Sequence, residues 1–177
     1  MANTVFIATS LDGFISDKED RLDWQHAIPN PNGLDFGHGE LINRIDAIVM
    51  GRKTFETVCG FDGPWPYSKP VFVWSRTLST LPEPMEGDVR LISGTPAAIQ
   101  TKLLLEGHQN LYIDGGTTIQ SFLTEDLVDE MIITVLPVLL GGGSRLFGQL
   151  AERLNFVHIK TEVMLNAMVQ SHYQRRR

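Results

Sequence analysis

The chain lacks several features that mark whole classes of protein. Its 177 residues include one cysteine, Cys59, so no disulfide can form within the chain. The five histidines are scattered and show no zinc-ligand spacing, so we expect no metal. Apolar runs such as residues 131–140 are too short to cross a bilayer, and the first residues do not resemble a signal peptide. We therefore expect a cytoplasmic protein without a membrane partner.

Positive charge is also scarce. Fifteen Lys and Arg stand against 21 Asp and Glu, which gives a net charge of −6. Three of these cations are the terminal Arg175, Arg176 and Arg177, so the rest of the chain carries 12 cations against 21 anions. Such a surface repels a phosphate backbone, and we expect no nucleic-acid partner. A ligand that carries phosphate would have to be held by local groups.

The length and composition are typical of one globular domain, with 42% hydrophobic and 20% charged residues. No repeat, low-complexity tract or linker divides the chain, so we predict a single domain over residues 1–177. Strand and helix patterns alternate before a final all-strand stretch, which predicts an α/β fold with a mixed sheet that is antiparallel at its C-terminal end. The predicted strands are residues 4–8, 47–50, 71–74, 89–92, 111–113, 128–136, 156–159 and 167–173, with helices at 36–45 and 96–106.

Two of these strands end at a glycine that opens a helical segment. The first segment is Gly51, Arg52, Lys53 and Thr54, and the second is Gly115, Gly116, Thr117 and Thr118. A helix start presents free backbone N–H groups and the positive end of the helix dipole, which favours phosphate binding. Two such sites on one sheet suit a dinucleotide. The alternative is that each glycine only forms a tight turn.

Two further segments carry hydroxyl and guanidinium groups near strand ends. Ser75 and Arg76 follow a strand and suit the extra ribose phosphate of NADP, although Arg76 alone also fits a surface charge. Residues 141–143 are three glycines, followed by Ser144 and Arg145. This stretch is either a phosphate cradle or a flexible bend, and we favour the bend.

Five segments, in order along nearly the whole chain, together resemble the dihydrofolate reductase superfamily. They are residues 8–15, 50–56, 113–116, 127–130 and 137–147. The resemblance is strongest to the reductase domain of the deaminase-reductase of riboflavin biosynthesis and its stand-alone relatives. It implies a three-layer fold with a central mixed sheet of about eight strands flanked by helices. It also implies NADPH as cofactor, hydride transfer to a small-molecule substrate, and a homodimer.

The resemblance assigns roles by position within those motifs. Arg52 and Thr54, in the segment with Gly51 and Lys53, would meet the cofactor phosphates, and Ser75 and Arg76 would meet the 2′-phosphate. The pyrophosphate would lie on Gly115, Gly116, Thr117 and Thr118. The nicotinamide would be flanked by Ala8, Ser10 and Ile15.

A reductase of this kind also needs a proton source, ideally an acid whose pKa is raised in an apolar wall. Asp35 is our catalytic candidate because it lies where dihydrofolate reductases carry their substrate-binding carboxylate. The equal alternative is that Asp35 caps the following helix. The predicted pocket lining is Trp24, Asp35, Phe36, Phe55 and Trp65.

The chain departs from the resemblance at two places. Ser68 stands where dihydrofolate reductases hold the folate carboxylate with an arginine, and residues 61–64 replace a basic segment that binds substrate phosphate in riboflavin enzymes. The expected function is therefore an NADPH-dependent reductase of a small heterocycle, resembling 5-amino-6-(5-phosphoribosylamino)uracil reductase. Two alternatives stay open: a non-catalytic dinucleotide-binding or sensing module, and a true dihydrofolate reductase.

Overall fold

The computed structural model describes residues 2–82 and 85–177. Within these residues fifteen elements follow one another along the chain. In chain order they are β1 (Ala2–Ser10), β2 (Phe14–Ser16), a 3-10 turn (Asp23–His26), α1 (His38–Arg44), β3 (Ala47–Gly51), α2 (Arg52–Cys59), β4 (Val71–Trp74), β5 (Val89–Ile92), α3 (Pro96–Leu105), β6 (Asn110–Asp114), α4 (Gly116–Thr124), β7 (Glu130–Leu136), β8 (Ser144–Arg145), β9 (Phe156–Met164) and β10 (Met168–Arg175).

Eight of the strands form one mixed sheet in the order β5-β4-β3-β6-β1-β7-β10-β9. The strands from β5 to β7 pair in parallel, whereas β10 pairs antiparallel with both β7 and β9. The two short strands β2 and β8 pair antiparallel with each other in a separate small sheet. The predicted α/β fold, with an antiparallel C-terminal end, is confirmed.

Helices cover both faces of the sheet because its central strands are apolar on both sides. On one face Val5, Ile113 and Ile133 pack in a core cluster that includes Ile99 of α3 and Phe122 of α4. On the other face a second cluster forms where Ile48 and Met50 meet Leu41 of α1 and Phe55 of α2. Successive side chains of a strand point to opposite faces, which separates the two clusters.

The predicted helix over residues 96–106 is present, with a small difference at its end. Thr95 is its N-cap, whose Oγ1 accepts a hydrogen bond of 3.3 Å from the backbone N–H of Ala98, and Pro96 is the first helical residue. The helix ends at Leu105, and Gly107 follows with a φ of +94°. The expected capping residue and terminating glycine are thus both confirmed.

The other differences lie at element ends. The helix predicted over residues 36–45 is shorter in the structure because Phe36 and Gly37 have φ values of +57° and +88°, which no helical residue adopts. Strand β9 continues to Met164 rather than ending at 159 because it pairs with β10 over its whole length. Its residues are mostly exposed, so no hydrophobic alternation marks this extension in the sequence.

Candidate functional site

A cleft of about 860 Å³ opens where the central parallel strands end. Gly51, Trp74, Asp114 and Leu136 are the last residues of β3, β4, β6 and β7, and all four line it. Ligands of open α/β sheets bind at this edge, where the backbone leaves the sheet and turns into helices. The position alone marks this cleft as the candidate site.

The starts of α2 and α4 meet in this cleft. Their N-caps are Gly51 and Gly115, and neither helix has a side-chain cap on its first N–H groups. A Cβ at Gly51 would lie 2.9 Å from Thr118 Oγ1, and a Cβ at Gly115, where φ is +90°, would overlap Thr54 Oγ1. Glycine is therefore required for the two helix starts to approach. Their combined dipoles and free N–H groups form an anion site.

Cationic and hydroxyl groups follow the neighbouring strand β4. Arg52 Nη1 donates to Thr77 Oγ1 at 3.1 Å, which holds the guanidinium of Arg52 next to the segment after β4. The exposed side chain of Arg76 lines the cleft and has no ion-pair or hydrogen-bond partner among the residues that the structure describes. Ser75 Oγ accepts hydrogen bonds from two backbone N–H groups, so its own proton stays available to a ligand.

Two further cations complete the positive rim. Lys53 Nζ lies 2.6 Å from Asp20 Oδ2, an ion pair that links α2 to the loop after β2. The guanidinium of Arg145 lies 4.5 Å from the centre of the Phe14 ring. Arg52 is likewise paired, since its Nε lies 2.6 Å from Glu56 Oε1, so Arg76 and Arg145 are the rim cations without a carboxylate partner among the residues that the structure describes. These two guanidinium groups and the two helix starts are the local positive groups that a phosphate needs on a chain with a net charge of −6.

A half-buried acid lies beside the helix starts. Asp114 ends β6 and lines the cleft, and its Oδ1 accepts a 2.8 Å hydrogen bond from the backbone N–H of Gly115. Burial raises the pKa of Asp114 to about 6, although the N–H of Gly115 and the neighbouring Tyr112 hydroxyl act in the opposite direction. The hydroxyl of Tyr112 donates its one proton to the carbonyl of Phe6 at 3.0 Å. This carboxyl can hold a proton near neutral pH.

Neutral polar groups lie across the sheet from Asp114. Thr134 of β7 lines the cleft, and its Oγ1 accepts a 2.9 Å hydrogen bond from Gln170 Nε2. The same amide nitrogen donates to the carbonyl of Phe36 at 2.9 Å. The His38 ring lies edge-on to Phe6, and burial lowers the pKa of His38, so this imidazole is neutral at pH 7.

The cleft brings together most of the predicted cofactor residues. Its lining includes Ala8, Ile15, Gly51, Arg52, Lys53, Thr54, Ser75, Arg76, Gly115, Gly116, Thr117 and Thr118. Ser10 is not in the lining: its Oγ donates to Asp12 at 2.6 Å and accepts from the N–H of Phe14 at 3.0 Å. Ser10 therefore holds the turn between β1 and β2 rather than the edge of the cleft.

Asp35 also lies outside the lining. Its exposed carboxylate accepts hydrogen bonds from the N–H groups of Gly37 at 3.0 Å and Gly39 at 2.9 Å, at the start of α1. These bonds lower the pKa of Asp35, which is the opposite of what a proton donor needs. The geometry favours the capping alternative over the catalytic one. Of the predicted pocket residues, Phe36 lines the cleft, whereas Phe55 is buried in a core cluster.

The triple glycine is a structural bend. Its first N–H, from Gly141, donates to Asp12 Oδ2 at 2.8 Å, and the preceding N–H of Leu140 donates to Asp12 Oδ1 at 3.1 Å. A Cβ at Gly143 would overlap the carbonyl of Ser16, so this glycine permits close contact with β2. The carboxylate of Asp12 thus occupies the place that a phosphate would need.

Sequence reasoning missed Asp114, Tyr112, Tyr67 and Thr134 as cleft residues. The sequence did contain a signal for Asp114, because this carboxylate ends an apolar strand directly before a glycine that starts a helix. A carboxylate in that position is partly shielded from water, which raises its pKa. Thr134 gave no such signal, because it sits within an apolar strand and its partner Gln170 lies far along the chain. No cluster of His, Cys, Asp and Glu suited to a metal ion occurs in residues 2–82 and 85–177. Within the same ranges no helix is long and apolar enough to span a bilayer.

The sheet order, the two helical layers and the cleft define a dihydrofolate-reductase-like α/β protein. The family model described as RibD C-terminal domain matches residues 3–169, and the chain belongs to this family. The family is one of reductase domains, so an oxidoreductase is implied. The chain is 54% identical to a provisionally assigned riboflavin biosynthesis protein of Shewanella sp. PV-4, with a TM-score of 0.97 and 100% of both chains covered.

Three more distant proteins are also similar to this chain. The Bacillus subtilis protein YwjB is 31% identical over 173 residues, which cover 97% of this chain and 96% of YwjB. A diaminohydroxyphosphoribosylaminopyrimidine deaminase/5-amino-6-(5-phosphoribosylamino)uracil reductase from Thermotoga maritima is 16% identical, with a TM-score of 0.74 over 98% of this chain and 56% of that one. Enterococcus faecalis dihydrofolate reductase, complexed with NADP(H), is 17% identical, with a TM-score of 0.66 over 98% of this chain and 96% of that one. The last two similarities show the fold alone.

Proposed function

We propose that the protein is an NADPH-dependent reductase of a small heterocyclic substrate. One observation carries the proposal: two uncapped helix starts and four cationic side chains line the same cleft as a half-buried carboxyl that can hold a proton. Membership of a reductase family supports it. The cations fit a ligand with several phosphates, and the carboxyl fits a reaction in which a proton must be supplied.

The residues of the cleft fit NADPH. Gly51 approaches Thr118 so closely that a Cβ on Gly51 would lie 2.9 Å from Thr118 Oγ1. The backbone N–H groups of the two helix starts are therefore close enough together to bind one pyrophosphate. Arg76 and the free hydroxyl proton of Ser75 would hold the 2′-phosphate, with Arg52 beside them. When bound, NADPH supplies a hydride, and the protein positions it.

Asp114 is the group that would supply the proton. A carboxyl with a pKa of about 6 is partly protonated at neutral pH, and its position in the lining gives it access to a bound heterocycle. The N–H of Gly115 fixes Oδ1 at 2.8 Å, so Oδ2 is left to carry the proton towards the substrate. General acids of this kind commonly accelerate a reaction by about 10²–10⁴-fold.

The proposal is tested in two steps with the wild-type protein. NADPH is first titrated by its fluorescence, with NADH as the matched control, and saturable binding that favours NADPH is expected. Pyrimidine, pterin and dicarbonyl acceptors are then screened for loss of the nicotinamide absorbance. Oxidation by at least one acceptor supports a reductase. Binding without oxidation by any acceptor supports a non-catalytic dinucleotide-binding module instead.

A further inference from the structure

The cations of the cleft are all at one side of it. Arg52 and Lys53 open α2, and Arg76 lies two residues after β4. Arg145 lies beside the start of α4, where its carbonyl would be 3.5 Å from a Cβ at Gly116. We call this side, with the starts of α2 and α4, the nucleotide half. Its cations are the ones that the proposed function assigns to the cofactor.

The other side is a floor to which these four cations do not contribute. It is one face of the sheet, formed by Tyr112 and Asp114 of β6, Phe6 and Ala8 of β1, and Thr134 of β7, whose register pairs Ala8 with Thr134. Alternate residues of a strand share a face, so these side chains point into the cleft together. We call this side the floor half.

The walls of the floor half add no permanent positive charge. They are formed by Phe36, Tyr67 and the neutral ring of His38. His26 is exposed on the 3-10 turn at the rim. Among the lining residues that the structure describes, no Lys or Arg belongs to the floor half, and its one carboxyl is Asp114.

This charge distribution discriminates against a phosphate. A phosphate ester is a dianion near neutral pH. A site without a cation would remove the hydration shell of this dianion and offer no attractive charge in its place. It would also lie close to the carboxyl of Asp114, which like-charge repulsion penalises further. An uncharged ring has neither cost, and the aromatic walls offer it flat apolar contact.

The hydrogen-bond direction at Thr134 adds a second constraint. The carbonyl of Phe36 can only accept, so the amide group of Gln170 must point its nitrogen towards Phe36, and the same nitrogen then donates to Thr134 Oγ1. Gln170 is 2% exposed, so this arrangement has no access to bulk water. Because Thr134 Oγ1 accepts from Gln170, its own proton is free to donate into the cleft.

From these observations we infer that the substrate is an uncharged planar heterocycle without a phosphate, which presents a carbonyl oxygen or ring nitrogen to the hydroxyl of Thr134. The inference rests on the proposed reductase function, because it assigns the nucleotide half to the cofactor. It differs from the phosphoribosyl compound in the name of the Thermotoga maritima protein.

The test compares two compounds that differ only in a phosphate. They are 5-amino-6-(5-phosphoribosylamino)uracil and the same compound after phosphatase treatment, each titrated calorimetrically into the protein with and without NADP⁺. The dephosphorylated compound is expected to bind about ten-fold or more tightly. Equal or tighter binding of the phosphorylated compound would overturn the inference, as would no binding of the dephosphorylated one at millimolar concentration. Failure of the proposed function would show separately, as absent NADPH binding.

Thr134 is tested by a matched pair of variants. Thr134→Val keeps the shape but removes the donor, and is expected to raise the KM for the dephosphorylated compound about 5–10-fold with a smaller change in kcat. Thr134→Ser keeps the hydroxyl and should restore the KM. Equal KM values for the two variants, or a Val variant that matches the wild type, would contradict the role of Thr134. Melting temperatures of both variants separate this effect from a loss of folding.

Discussion

The end of β6 and the start of α1 each hold one aspartate, and the two lie in opposite surroundings. Asp114 is half-buried in the cleft, and its pKa is raised to about 6. Asp35 is exposed, accepts two backbone N–H groups, and has a lowered pKa. The same side chain can thus hold a proton near neutral pH in one place and caps a helix in the other, because its neighbours differ.

The largest expected effect concerns catalysis. Asp114→Asn keeps the shape and an acceptor for Gly115 but cannot supply a proton, so kcat at pH 7 should fall about 10²–10⁴-fold. Asp35→Asn is the matched control and should change kcat by no more than about two-fold, because its effect is limited to a helix start. Steady-state assays with an acceptor found in the screen measure both. A larger loss in the Asp35 variant would reverse the assignment.

The pH profile sharpens the same contrast. The proton donor must be protonated, so kcat should fall about ten-fold per pH unit once the pH exceeds about 6, the pKa of Asp114. The lowered pKa of Asp35 keeps that carboxyl ionised throughout the same range. In the Asp114→Asn variant the residual rate should lose this pH dependence. A wild-type rate that is constant from pH 5 to 8 would exclude Asp114 as the donor.

The contrast also assumes that the cofactor binds in the cleft that Asp114 lines. Changing Arg52 and Arg76 together to Ala removes two cations beside β4, so NADPH binding should weaken by about 1.5–3 kcal/mol, while NADH binding changes little. Arg90→Ala is the control, since Arg90 pairs with Asp88 away from the cleft. Calorimetric titration of both nucleotides gives the comparison. An unchanged preference for NADPH would remove these two residues from the cofactor site.

The smallest effects are on stability, and they have opposite signs. Because the pKa of Asp114 is raised, the native protein becomes less stable as the pH rises from about 4 to 6. Above pH 6 the whole of this destabilisation is present. Asp114→Asn should therefore be more stable than the wild type at pH 8, by about 1–3 kcal/mol, and equal to it near pH 4. Because the pKa of Asp35 is lowered, its ionised carboxylate stabilises the native protein above pH 3.8, the usual pKa of an aspartate. This stabilisation is lost as the pH falls below that value. Asp35→Asn should lower Tm at pH 8 by about 2–4 °C.

Denaturant and thermal unfolding at pH 4 and pH 8 measure both variants. If the Asp114 variant is less stable than the wild type at pH 8, the ionised carboxyl of Asp114 does not destabilise the native protein. An Asp35 variant as stable as the wild type would show that its two N–H contacts contribute nothing.

The sequence predicted the features that depend on local patterns. The glycine helix starts at Gly51 and Gly115, the Thr95 cap and the apolar strands are all encoded by neighbouring residues, and the structure contains each of them. The expectation of a sheet with about eight strands followed from a resemblance of motifs rather than from the residue patterns alone. What local patterns could not give was the environment of a single side chain.

Asp114 and Thr134 illustrate this limit. The pKa of Asp114 depends on burial by strands that lie far apart in the chain, and the donor direction of Thr134 depends on Gln170 and Phe36. The helix start at Asp35 was ambiguous for a different reason. A carboxylate that precedes a helix looks the same in sequence whether it caps the helix or faces a ligand, and only its hydrogen bonds distinguish the two.

The account depends above all on a dinucleotide held where α2 and α4 begin. Calorimetric titration of the wild-type protein with NADPH, and in parallel with NADH, tests this most directly. We expect saturable heat for NADPH, binding at least about ten-fold tighter than for NADH, and a rise in Tm when NADPH is present. Absence of both heat and thermal protection at millimolar NADPH would contradict the account.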